Sequence, residues 1–269
     1  MKIGPDTTPT TAISGSNAET IIVRGHDLVQ ELMGRISFTD HVWLLVCGTL
    51  PTPAQRRVLD ATLVAIAEHG LVPSVQAARM TLAAAPEALQ GAVAAGLLGC
   101  GSVILGSAEA AGRFQDGVLK AATGDGDLDT AIATTVRTYR AEKRAIPGYG
   151  HPLHKDGDPR ALRLFALAEE VSVAGRHVEV ARRAERMMPD LVGKPLMMNV
   201  SAAIPAVLLD AGFPLLAVKG VPLLARTASL VAHLLEEQGH PIGFRMSHAA
   251  SSAIRYDGPA PDGFVADEN

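Results

Sequence analysis

The chain has 269 residues, of which 48% are hydrophobic, 19% charged and only 4% aromatic. That excludes a disordered polymer, and an apolar content made of Ala, Leu, Val and Ile suits close-packed helices in about one or two domains. With 24 basic and 28 acidic residues, net −4, there is no general basic field for nucleic acid, and no aromatic series accompanies the arginines for base stacking.

Cys47 and Cys100 stand far apart in apolar surroundings, and neither belongs to a CxxC pair. They read as small core residues of a reducing compartment. The opening MKIGPDTTPTTAISGS has no apolar core, which argues against a signal peptide. The most apolar stretch, 196–225, is interrupted by Asn199, Pro205, Asp210, Pro214 and Lys219 and fails as a membrane span. The expectation is a soluble, cytoplasmic protein with no membrane and no nucleic-acid partner.

In chain order, 20–24 is the only strand-like run. Ser37 to Asp40 forms a capping pattern before the apolar run 41–47, which Gly48 stops. Thr52 caps a second helix with Pro53 in its first turn and Gln55 reaching back; Leu59, Leu63 and Ile66 recur at helical spacing until Gly70. Ala-rich helical windows follow at 75–85, 87–98, 107–122 and 128–142. Further helical patterns cover 159–187, 200–212 and 221–238, with Gly239 as the stop. No βαβ alternation and no internal repeat is present, so the fold class is all-α. The tail from Gly258 reads as mobile.

Two segments break the helical texture. LLGCGSVILGS, 97–107, is neither a Walker loop nor a dinucleotide fingerprint and reads as a tight turn between helices. IPGYGHPLHKDGDPR, 146–160, concentrates prolines, glycines, histidines and charge. His151 and His154 with Asp156 and Asp158 could ligate a metal, although the glycines and Pro152 provide no helix to put both rings on one side. Alternatively, Gly148 and Gly150 let backbone N–H groups approach a phosphate or adenine, with Lys155 and Arg160 as cations. A solvated loop is the third reading. His69, at a helix end, reads as stabilised by the helix dipole. Arg226, Ser229 and His233 share one semi-apolar helix face, where Arg226 requires an anion, either a structural carboxylate or a ligand.

Residues 148–160, GYGHPLHKDGDPR, resemble the citrate synthase signature. Five more segments resemble that superfamily in the same order: 23–55, 68–79 (EHGLVPSVQAAR), 94–111, 196–212 (LMMNVSAAIPAVLLDAG) and 223–238 (LLARTASLVAHLLEEQ). The resemblance runs over about 20–258, and the phrasing is most similar to the citryl-CoA lyase branch, which also forms the carboxy-terminal module of ATP-citrate lyase.

The resemblance implies a large helical domain (1–104 and 206–269) and a small one (105–205), in an intertwined homodimer with active sites in the cleft between domains. It implies cleavage or formation of a C–C bond between an acyl-CoA and a 2-keto acid such as oxaloacetate. Coenzyme A enters as thioester substrate, and no metal is required. His151 matches the histidine that polarises the oxygen at the carbon being cleaved, worth about 10²–10³ in rate by analogy with oxyanion donors. Arg160 and Arg226 match arginines that clamp carboxylates, and His69 matches a substrate-binding histidine. Ile146, Pro147, Gly148, Tyr149 and Gly150 match the loop that holds adenine, with Lys155 at a contact to CoA phosphate.

Two positions depart from the pattern. Ile104 stands where citrate synthases carry a histidine, as it does in the lyase branch. Ser201 stands where the family has its acid/base aspartate, and removing a general base costs roughly 10²–10⁴. Three readings follow: a citryl-CoA lyase-like enzyme, an enzyme of the same fold acting on another activated carbonyl compound, and a non-catalytic CoA- or carboxylate-binding paralogue.

Overall fold

The structure is a computed structural model and describes residues 9–101, 103, 105–122, 127–150 and 157–264. Helices dominate. The described residues hold α1 (Phe38–Cys47), α2 (Pro53–Ala67), α3 (Pro73–Ala84), α4 (Leu89–Leu98), α5 (Ser107–Ala121), α6 (Leu128–Ala141), α7 (Pro159–Glu170), α8 (Arg176–Val192), α9 (Val200–Asp210), α10 (Gly220–Gly239) and α11 (Gly243–Ala253). Three short antiparallel strands, β1 (Ser14–Ser16), β2 (Ile21–Val23) and β3 (His26–Asp27), form a ribbon in sequence order. The fold class is all-α, as expected.

Local signals explain most boundaries. Ser37 accepts from the Asp40 N–H while Asp40 accepts from the Ser37 N–H, a reciprocal capping box, and Gly48 ends α1 at φ 82°. Thr52 and Gln55 exchange the same pair of bonds ahead of α2. Between β1 and β2, Asn17 Oδ1 accepts from the N–H groups of Glu19 and Thr20 and closes the turn.

One expected helix is two. The pattern over 159–187 breaks at Val171–Gly175, where Ser172 takes φ 57°. The restart is fixed from afar. Asp210, at the end of α9, accepts from the backbone N–H groups of Gly175, His177 and Val178 and from His177 Nδ1. That carboxylate caps α8, a tertiary contact invisible to local periodicity. Leu28–Leu32, a single π-helical turn capped by Asp27, and α11 also lie outside the predicted elements.

The chain packs as two compact units, Met1–Thr62 with Ala108–Val218, and Leu63–Ser107 with Lys219–Asn269. This partition keeps 1–62 and 206–218 with the segment that the resemblance implies as the small domain. In the first unit α9 is the central element: all of Val200–Leu208 except Ser201 is buried, and α7 and α8 pack against it. Gly112 of α5 lets α9 approach, because a Cβ there would stand 3.0 Å from Pro205 Cβ. Trp43 stacks on Phe213, and Gln55 Nε2 donates to Ala211 O, which ties α1 and α2 into this core.

In the second unit α3, α4, α10 and α11 pack together over Val75, Ala78, Leu82, Ala92, Leu230 and Leu234. Gly96 sits where a Cβ would meet Leu230 at 2.8 Å. Arg79, 2% exposed, joins α3 to α10 through Glu237 Oε2 and Glu236 Oε2, both at 2.6 Å. Leu215–Gly239, which includes α10, passes the length and composition test for a membrane-crossing helix, unlike the 196–225 window. It carries the buried Arg226 and Glu237 and packs on α3 and α4, as a core helix does.

Candidate active site

The predicted site residues fall in both units, and each set is described within its own. In the first unit, the 146–150 loop is fastened to the segment leading into α9. Gly150 N donates to Met197 O at 2.7 Å, Asn199 N donates to Gly148 O at 2.9 Å, and Asn199 Nδ2 donates to Gly150 O at 2.7 Å. Gly148 and Gly150 take φ +87° and +85°, and a Cβ on Gly148 would lie 2.5 Å from Ala202 Cβ. Only glycine permits that backbone to lie against α9. The loop therefore presents main chain beside Ser201, the second residue of α9.

Two loop side chains turn inward. Ile146 is buried, and Tyr149 donates its hydroxyl to Ala181 O and packs edge-on against Phe114. Burial pushes the Tyr149 phenol far above its ordinary range. Any part these residues take in ligand binding falls to the loop backbone.

Arg160 begins α7 under a buried carboxylate. Asp158, 1% exposed, is the N-cap of that helix and accepts from Arg160 N, Nε and Nη2 and from Val200 N. Burial pushes the Asp158 carboxyl up, but the Arg160 side chain and the two backbone N–H groups outweigh it and hold the carboxyl below its usual range. With Nε and Nη2 committed, Arg160 presents Nη1 and the end of its guanidinium to a ligand. Ser201 is half-buried, and its N–H donates to Asn199 Oδ1 at 2.9 Å. It lies at the positive end of the α9 dipole, a position that favours negative charge. His151, His154, Lys155 and Asp156 lie outside the described residues, as does Ile104.

In the second unit the α10 face divides in two. Glu68 Oε2 accepts from Ser229 Oγ at 2.5 Å and lies 3.0 Å from His233 Nε2. Burial raises the Glu68 carboxyl, but Ser229, the Gly70 N–H and His233 pull it below its ordinary range. The protein thus supplies its own carboxylate to Ser229 and His233. It supplies none to Arg226. That side chain is 2% exposed, and neither Nε nor Nη1 has a hydrogen-bond partner among the described residues. An uncompensated buried guanidinium is strongly unfavourable, which makes an anion the natural complement. His69, next to Glu68, is exposed at the end of α2. Among the described residues no three His, Cys, Asp or Glu side chains gather as a metal cluster.

Two features of this site escaped the sequence patterns. The double duty of Asp158 has a local signal, Asp-Pro-Arg at a helix start. The Glu68 link to α10 has none, since its partners are more than 160 residues away.

The family model for the citrate synthase C-terminal domain matches residues 51–246. The chain belongs to the citrate synthase family. Among this family's curated members, citrate/2-methylcitrate synthase of Bacillus subtilis is 28% identical over 214 residues, covering 78% of this chain and 55% of that protein. Glyoxysomal citrate synthase of Cucurbita maxima is 31% identical over 200 residues, covering 71% and 37%. The chain spans about half the length, or less, of these relatives. Citryl-CoA lyase from Hydrogenobacter thermophilus superposes with a TM-score of 0.85 at 31% identity, covering 96% of this chain and 98% of that one. ATP citrate lyase from Methanothrix soehngenii, solved with citrate and coenzyme A, superposes at 0.75 over 98% of this chain and 44% of that one; at 19% identity it shows the shared fold.

Proposed function

We propose that this chain is a citryl-CoA lyase-like enzyme that cleaves, or forms, the C–C bond between acetyl-CoA and oxaloacetate or a closely related pair. The observation that carries the reading is the buried, unpartnered guanidinium of Arg226, which requires an anion that the described residues do not provide. End-to-end likeness to a citryl-CoA lyase supports a carboxylated acyl-CoA as its source.

In the cleavage direction, the hydroxyl of the substrate loses its proton and the C–C bond breaks. Its electron pair passes to the thioester carbon, and that carbon takes up a proton. Arg226 and the free end of Arg160 hold carboxylates, where planar guanidinium groups suit planar anions. His151 polarises the hydroxyl or keto oxygen. The glycine-permitted backbone of 146–150 and Lys155 receive the CoA adenine and phosphate. We place the reaction in a reducing cytoplasm, consistent with the free thiols of Cys47 and Cys100, and in a homodimer.

Ser201 favours a second reading. A neutral hydroxyl is a poor base, so the same clamps could serve a different carboxylated substrate or a silent CoA-binding paralogue. The test is incubation of the purified protein with citryl-CoA, following oxaloacetate through NADH consumption by malate dehydrogenase, beside His151→Ala and Arg226→Met. Release that vanishes in both variants is the expected result. No release from folded wild-type protein rejects the lyase and leaves the second reading.

A further inference from the structure

Ser74 is the second residue of α3 and completely buried. The glycines of the 96–101 region press on it: a Cβ at Gly96 would lie 2.9 Å from Ser74 O, and one at Gly99 would lie 3.4 Å from Ser74 Cα. Within this packing its hydroxyl is left over. The neighbouring Cys100 thiol gives its proton to Gly96 O at 3.4 Å, and Ser74 Oγ has no hydrogen-bond partner among the described residues. The Arg226 guanidinium is close enough for its charge to act on the same thiol: burial pushes the Cys100 thiol up, and Arg226 offsets part of that rise.

Two polar side chains, each at least 98% buried and each with unused hydrogen-bonding capacity, therefore lie around one cysteine. Buried donors are nearly always satisfied, and two orphans at one place share a cause more readily than they arise separately. α3 also begins without a side-chain cap at Val72, so its dipole acts in the same direction as the Arg226 charge.

We propose that Ser74 is a substrate-binding residue, its hydroxyl donating to the same substrate carboxylate that Arg226 holds. A carboxylate has two oxygens and about four acceptor sites, enough for a guanidinium and a hydroxyl together. The inference rests on the reading of Arg226 as a carboxylate clamp and adds the second donor of that subsite. Because Ser74 meets a carboxylate rather than the substrate hydroxyl, its contribution is equal for citrate and for tricarballylate, which lacks the hydroxyl.

The experiment is calorimetric titration of the full chain with citrate, tricarballylate and CoA, for wild type, Ser74→Ala, Ser74→Thr and Arg226→Met. Ser74→Ala is expected to weaken both tricarboxylates about tenfold, the scale of one charge-assisted hydrogen bond, with CoA unchanged. Ser74→Thr, which keeps the hydroxyl, stays within about threefold. Weak citrate binding by Arg226→Met together with wild-type binding by Ser74→Ala overturns this inference and leaves the clamp standing. Wild-type citrate binding by Arg226→Met, or none by the unmodified chain, overturns the clamp and the inference with it. Should Ser74→Ala fail to fold, alkylation of Cys100 in a Cys47→Ser background decides. Citrate is expected to slow it severalfold, and an unchanged rate at saturating citrate overturns the proposal.

Discussion

Arg160 and Asp158 are joined through both carboxylate oxygens, Nε to Oδ1 at 3.0 Å and Nη2 to Oδ2 at 2.9 Å, while Asp158 also receives Arg160 N and Val200 N. One buried carboxylate thus fixes a guanidinium, starts α7 and anchors the start of α9, on which Ser201 sits. A cationic side chain offered to substrate is held still before substrate arrives, which lowers the ordering cost of binding.

Asp158→Asn is expected to lose about 3–5 kcal/mol at pH 7, the scale of breaking a buried ion pair, and to raise KM more than it lowers kcat. The folded-state pKa of Asp158 lies below its unfolded value of about 3.9. Its contribution is therefore complete above the unfolded pKa and lost as pH falls through the folded one. Urea midpoints of the two proteins should converge below about pH 4; a constant gap would show that the charge of Asp158 is not what stabilises.

Gly148 and Gly150 provide a matched pair. Both have positive φ, but only at Gly148 would a methyl group strike Ala202, since the nearest atom to a Cβ at Gly150 is 3.8 Å away. Gly150→Ala should cost about 1–2 kcal/mol from backbone strain alone. Gly148→Ala should cost about 2–5 kcal/mol, because overpacking adds to the strain. Thermal unfolding of both variants checks the order, and equal losses would refute the close approach.

Arg79→Leu leaves Glu237 buried without its partner and should destabilise by about 3–5 kcal/mol. Adding Glu237→Gln removes that charge while keeping an acceptor for the Ile242 and Gly243 N–H groups, which donate to Glu237 Oε1 at 3.0 and 2.7 Å. Part of the loss should return. A double variant less stable than Arg79→Leu would show that the pair is not the unit of stabilisation.

Ser201→Asp places a carboxylate at the second position of α9, where the helix dipole favours it, so the variant is expected to fold. Exchange of deuterium into the acetyl-CoA methyl group should rise by about 10² if residue 201 occupies the base position. An unchanged or lower rate would remove that role.

The helices, their caps and the all-α class were legible in the sequence because each depends on neighbours within a turn or two: Ser37 with Asp40, Thr52 with Gln55, apolar residues every three or four positions. The 146–160 loop stood out by its concentration of glycine, proline and charge, and the order of motifs identified the family. Sequence also put Arg226 on a face that needs an anion, but left a structural carboxylate and a ligand as equal candidates. Tertiary packing decided between them. Glu68, distant in sequence, is spent on Ser229 and His233, and Arg226 is enclosed without a partner. The same holds for the break between α7 and α8, set by Asp210, and for Ser74, an ordinary serine in the sequence whose hydroxyl is isolated by glycines of another helix. Hydrogen-bond satisfaction in a protein interior is a property of assembled surfaces, and no local pattern encodes which donor will be left over.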